Sequence, residues 1–237
     1  MMLTRYLLLI TAGVSFFSML CACRTKGTIE PKAGADRARA TGINPMSERD
    51  RRRQAAWEDA IRGLRIDSGL VVVEHPPAAG DQAAARGFMD EGDAQRAVNH
   101  KTRAVKAYAT AVRAAPDWID PYLALGHAMI FKGRMDWAAA CFRTAVGLES
   151  THVEAREWLA RTLDMRHQRA EAIAEMEAAL AVDPNHGPAH ERLAIWRYYT
   201  GELRSAWTHV HASRRLGQRL PPQFIRLLSE KMPDPGA

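Results

Sequence analysis

The sequence predicts an all-α fold, a solenoid of stacked helical hairpins, and three recurrences predict it. Small residues return every 34 positions at Ala104, Ala138, Ala172 and Ala206, and again at Ala111, Ala145, Ala179 and Ser213. Between these lines a large apolar position repeats in the same register as Tyr108, Phe142, Met176 and Val210. A turn line reads Asn99, Gly133, His167 and Gly201. Units that recur at a fixed period of this length cannot bury an apolar face alone and must stack on their neighbours.

Residues 1–22 are read as a targeting segment outside the fold. Arg5 gives a positive start, and Tyr6 to Leu20 is an almost unbroken apolar run. The following Leu20-Cys21-Ala22-Cys23 resembles the bacterial lipoprotein signal, which implies lipid attachment at Cys23, with Cys21 a weaker acceptor. An ordinary cleaved signal peptide or an uncleaved anchor, short for a full span, are the alternatives. The resemblance implies a membrane-anchored lipoprotein of the bacterial cell envelope, on its periplasmic or surface side. Cysteine usage agrees with export without disulfides: past the leader only Cys23 and Cys141 remain, and Cys141 reads as a small buried hydrophobe.

From 23 to 46 the chain is polar, broken by Gly27, Pro31, Gly34, Gly42 and Pro45, and lacks apolar periodicity; it is read as a flexible tether. Residues 47–84 are read as an N-terminal helix and an extended segment. Ser47 suits a helix start, and Trp57, Ile61 and Leu64 step along one face. The β-branched run Leu70 to Val73 has no evident sheet partner, so it is expected along the repeats or over an end of the stack. Lying in the groove, it would be an internal ligand.

Within a unit, Leu125 to Met129 and Ala138 to Phe142 to Ala145 step by three or four, which is helical spacing. Lys132-Gly133-Arg134 reads as a tight link between two antiparallel helices. A further small line, Gly92, Gly126, Ala160 and Ala194, lets helices approach closely. Asp120-Pro121 reads as an N-cap pair, and Gly187-Pro188 as another helix start.

These lines resemble the tetratricopeptide repeat, a helix-turn-helix family of this period. The resemblance covers residues 85–220, with units starting at Ala85, Ile119, Val153 and Gly187. It implies a right-handed superhelix of about four repeats. The first unit departs: Glu91 and Gln95 stand where others carry Leu125 and Met129, which implies a polar cap or a shifted register. After the array, residues 221–232 restart a helix with Phe224, Leu227 and Leu228 on one face, read as a capping helix. Residues 233–237 are read as a disordered tail.

Function is expected in binding. The net charge of +6 is read as an Arg-rich helical surface; no basic cluster interleaves with aromatics, so no nucleic-acid partner is expected. No phosphate loop, nucleophile elbow or carboxylate pair points to catalysis, and no cofactor is implied. His186 and His190, four apart, are the one pair offering a metal-dependent or accessory-enzyme alternative, although they straddle a Pro-bounded linker.

The family resemblance implies a concave groove, lined by first helices, that takes a protein or peptide. Its residues would be Leu123, His127, Ile130 and Phe131 in the second unit, and Glu157, Trp158, Arg161 and Met165 in the third. The fourth would supply Glu191, Ile195, Tyr198 and Tyr199. Aromatic and Arg side chains suit recognition, but the aromatics equally suit packing between helices, and Glu157 can satisfy Arg161. Chaperone-binding members hold a carboxylate with Lys and Asn at set places. Those places carry Leu123, His127, Glu157, Arg161, Glu191 and Ile195, so an Hsp70 or Hsp90 co-chaperone is not expected. A scaffold in the assembly of an envelope complex is the expected role, and a structural spacer the plainer alternative.

Overall fold

The computed structural model describes residues 46–236; Cys23, the leader and nearly all of the tether lie outside them. Helix α1 (Glu48–Ala60) starts where Ser47 Oγ accepts the Asp50 N–H at 3.1 Å, satisfying one of the first-turn donors that a helix leaves orphaned. The helix stops at Ala60, so Leu64 does not continue its face. Leu64 instead opens strand β1 (Leu64–Asp67), which pairs antiparallel with β2 (Leu70–Val73), Leu64 opposite Val73. The β-branched run therefore does have a sheet partner. Ser68 and Gly69, both at positive φ (50° and 79°), make the two-residue turn whose twist matches a hairpin.

Four helix pairs follow: α2 (Gln82–Ala97) with α3 (Lys101–Ala114), α4 (Ile119–Phe131) with α5 (Met135–Leu148), α6 (Val153–Met165) with α7 (Arg169–Val182), and α8 (Gly187–Tyr199) with α9 (Leu203–Arg215). Three first helices begin at the residues the sequence register names. The first unit's helix begins at Gln82, earlier than Ala85, with Asp81 Oδ1 accepting the Ala84 N–H at 2.9 Å. Its register is not shifted. Glu91 is exposed, and only Ala85 and Gly92 are buried, as suits the polar-faced end of a stack. Asp120 is no N-cap; it sits inside the first turn of α4, where a carboxylate still favours the helix dipole.

The turn line has one conformation throughout. Asn99, Gly133, His167 and Gly201 all take positive φ (59°, 71°, 62° and 85°). After each, the next N–H returns to a carbonyl of the preceding helix: His100 to Gln95, Arg134 to Met129, Gln168 to Leu163 and Glu202 to Arg197, at 2.8–2.9 Å. This left-handed closure satisfies carbonyls that the helix end leaves open.

The close approach of the two helices in a unit falls on the line at Gly92 and Gly126. A Cβ at Gly92 would sit 2.4 Å from the Tyr108 ring, and one at Gly126 2.7 Å from that of Phe142. Ala160 and Ala194 occupy this position in the units whose large residues are Met176 and Val210. Glycine stands opposite aromatic rings, alanine opposite aliphatic chains, and the volume between the helices stays filled.

The N-terminal elements lie on second helices. The Val71 N–H donates to Thr144 Oγ1 at 2.8 Å, and Arg143 donates to the Gly69 carbonyl, both from α5. Lys106 of α3 meets Asp59 of α1 at 2.6 Å, and Trp57 meets Trp137 edge-on at 6.2 Å. The extended segment is thus not a ligand of the first-helix groove.

At the other end, α10 (Pro222–Lys231) buries Phe224 and Leu228 with Trp207, Val210 and Leu220. Leu227, expected on that face, is 47% exposed; Ile225 takes its place. The tail is not free at Pro233. Trp207 Nε1 donates to the Met232 carbonyl at 3.0 Å, and Asp234 meets His211 at 2.9 Å.

Candidate functional site

The repeat places equivalent positions of α4, α6 and α8 on one face, and their side chains divide into three groups. The first group converges. His127 lies 4.4 Å from the Trp158 ring and 5.4 Å from that of Phe142, which stacks beneath Trp158 at 6.1 Å. Arg161 covers Trp158 at 4.0 Å and reaches Glu157 at 3.5 Å. Glu157 also meets His186 Nε2 at 3.0 Å, which ties the third unit to the start of the fourth. Leu123, Ile130 and Ile195 are half-buried apolar neighbours packed against the core, and Glu191 is half-buried on α8.

His127 is the unusual member of this group. Its Nε2 is buried without a hydrogen-bond partner among the described residues. Burial holds its pKa below the ordinary 6.5, with Arg96 and Arg161 adding to that against the opposing pull of Glu154, so the ring is neutral at pH 7. A neutral imidazole beside an indole capped by a guanidinium is a floor of aromatic and cationic surface. Its partly exposed indole and guanidinium can take an apolar, aromatic or acidic side chain of a partner.

The second group is buried elsewhere. Tyr198, expected in the groove, is only 9% exposed; it packs edge-on against Phe224 at 5.6 Å and lies under Lys231 at 4.5 Å. It joins the array to its cap. The third group lies at the rim. Phe131, Met165 and Tyr199 are the last residues of α4, α6 and α8 and are 62%, 45% and 65% exposed beside the hairpin turns. Phe131 also closes a small cavity of about 140 Å³ between the first two units, with Ala104, Ala128, Arg96 and Lys101.

The histidine pair does not converge. His186 engages Glu157, while His190 lies 3.0 Å from His209 Nδ1 and 3.1 Å from the Pro184 carbonyl. No group of three or more metal-ligating side chains gathers among the described residues. His209 is held down at about 4, by burial first and then by His190. Cys141 is fully buried, and burial pushes its thiol pKa upward, which keeps it protonated and unreactive. The sequence also passed over Asp164, which accepts from Trp196 Nε1 at 3.1 Å and from Arg169 at 3.0 Å. Only its place one residue before Met165 marked it.

No protein-family model matches the chain. Solved structures do. A crystal structure of MamA protein is 24% identical, with a TM-score of 0.56 over 62% of this chain and 82% of that one. YrrB, a TPR protein with an unusual peptide-binding site, is 20% identical, with a TM-score of 0.52 over 64% and 77%. The first TPR of Spaghetti (RPAP3), bound to the HSP90 peptide SRMEEVD, is 17% identical, with a TM-score of 0.50 over 53% and 99%. The helix pairs, their common period and these likenesses agree: the chain has the tetratricopeptide-repeat fold.

Proposed function

We propose that the protein is a scaffold that binds a peptide or protein partner on the first helices of its second and third units. The observation that carries this reading is the His127–Trp158–Arg161 group, in which side chains from consecutive first helices meet and leave the Trp158 indole and the Arg161 guanidinium partly exposed on one face. The fold neighbours that bind peptides support the general mode. A photo-crosslinking residue at Leu123 or Arg161 should capture a defined partner from native membranes, and Arg143, on a second helix, should not. Arg161→Glu should abolish capture from Leu123. Capture only from Arg143 would move the site to the opposite face.

The proposal extends to location. The apolar run ending at Leu20 and the cysteine at 23 support a lipoprotein anchored in the cell envelope, where the scaffold would serve assembly of an envelope complex. Metabolic lipid labelling tests the anchor: label should enter the wild-type chain and be lost in Cys23→Ser. An unlabelled wild type would remove the anchor and leave the groove reading intact.

A further inference from the structure

The two rims of the array expose apolar residues at the repeat period but differ in charge. At the hairpin-turn rim, Phe131 is followed by Lys132 and Met165 by Arg166; at the opposite rim, Leu148 is followed by Glu149 and Val182 by Asp183. Lys101, Lys132, Arg134 and Arg166 of the turn rim have no carboxylate within ion-pair distance among the described residues. Lys101 and Arg134 crowd Lys132 instead. The Lys132 pKa is lowered by burial and then by Arg134, Lys101 and Arg53.

Arg53 belongs to α1, and the placement of that helix adds to the rim. Asp59 meets Lys106, and Arg113 donates to the Arg62 carbonyl, so α1 runs parallel to α3. Its first turns therefore lie level with the start of α3 at Lys101. Arg134 covers Trp57 at 4.6 Å on the same side. The chain thus enters the folded body at the rim that carries the unpaired cations and the protruding Phe131, Met165 and Tyr199.

We infer that this hairpin-turn rim is a membrane-docking surface for anionic phospholipid headgroups, with one apolar side chain per unit dipping into the interface. Unpaired cations answer the negative surface potential of such a leaflet, and the interleaved apolar side chains add burial that headgroup attraction alone does not supply. At the opposite rim Leu148 and Val182 stand beside Glu149 and Asp183, and its cations Arg214, Arg215 and Arg219 gather at the last unit, away from them. Docking by the turn rim leaves the first-helix face open to the side, so a bound partner and the membrane do not compete. This inference does not depend on lipid attachment at Cys23.

The test uses the chain from Ser47 onward, which packs as a unit of its own. Its sedimentation is followed with vesicles of phosphatidylcholine alone or mixed with phosphatidylglycerol. Wild type should bind only the anionic vesicles and be released by high salt. Each basic residue near an anionic surface contributes roughly fivefold, so K101Q/K132Q/R134Q/R166Q should weaken binding by about two orders of magnitude or more. F131S/M165S/Y199S should weaken it at least about tenfold. An environment-sensitive fluorophore at Met165→Cys should shift to the blue on the vesicles, and one at Leu148→Cys should not, which keeps the test open if the multiple variants misfold. Equal binding to neutral vesicles, no vesicle binding, or a shift at Leu148 alone would overturn the inference. So would a chain that ignores vesicles but holds an acidic peptide through these same cations.

Discussion

Replacing Gly126 by alanine should damage the second unit, and the structure says by how much and how to repair it. The added Cβ would stand 2.7 Å from two carbons of the Phe142 ring and 3.1 Å from a third, well inside ordinary carbon–carbon contact of about 3.5–4.0 Å. Phe142 has no room to retreat, being fully buried with His127 and Trp158 against it. Overpacking typically costs about 1–3 kcal/mol, and about 2–3 kcal/mol where a fully buried ring cannot move; alanine returns about 1 kcal/mol through its better helix propensity. The net loss is about 1–2 kcal/mol, or a fall of roughly 2–8 °C in Tm for a body of this size. Phe142→Met alone should also cost about 1 kcal/mol through lost packing. The double variant rebuilds the Ala160/Met176 pair of the third unit, so the two losses should not add; a favourable coupling above about 1 kcal/mol is expected. Thermal and urea unfolding of all four chains by circular dichroism closes the cycle. Additive losses, or an unharmed Gly126→Ala, would refute the steric pairing of glycine with aromatic rings.

At Gly133 and Gly201 nothing among the described residues lies within 4 Å of an added Cβ, so Gly201→Ala should cost about 1 kcal/mol from backbone conformation alone, and His167→Gly should gain about as much, both read from urea midpoints. The unfolded state takes up a proton at His209 near the ordinary 6.5 and the folded state only at about 4, so its contribution is full above pH 6.5 and is lost as pH falls toward 4. Because the ring is partly reached by solvent, the loss should be about 1–2 kcal/mol, and His209→Gln should flatten the fall of Tm across that window. Thr144→Val should leave the Val71 N–H unpaired, costing about 1–3 kcal/mol, and should speed hydrogen exchange of that amide while leaving capture at Leu123 unchanged.

The period, the turns and the second-helix packing were legible because each is dictated locally and repeated four times. A turn that needs positive φ selects Gly or Asn wherever it recurs, so the line through Asn99 and Gly133 located every link, even the one carried by His167. The β-hairpin was not legible. Leu64 falls three residues after Ile61, which mimics helical spacing, and the competing signal was the alternation Leu64-Arg65-Ile66-Asp67 before Ser68-Gly69. First-helix register puts Tyr198 in the groove, but that register alone does not show that α10 folds back over it. The same register made Phe131 and Tyr199 groove residues, although helices ending at those residues hold them at the rim.

The way the attachments are distributed bears on which surface is left to work. Helix α1 and the β-hairpin cover second helices of the first two units, and α10 with Asp234 covers the last pair. Had the hairpin lain along the first helices, it would cover Trp158, and the spacer reading would follow. Instead Val71 is fixed to Thr144 on α5, and Arg161 covers Trp158 from α6 itself. A stack that only separated two other bodies would gain nothing from leaving the Trp158 indole and its covering Arg161 partly exposed between first helices. His127→Phe, which removes the buried unpaired nitrogen and changes the wall against which Trp158 packs, separates the two cases. A spacer would keep or gain stability and lose no function, whereas a binding face would gain stability and lose capture at Leu123.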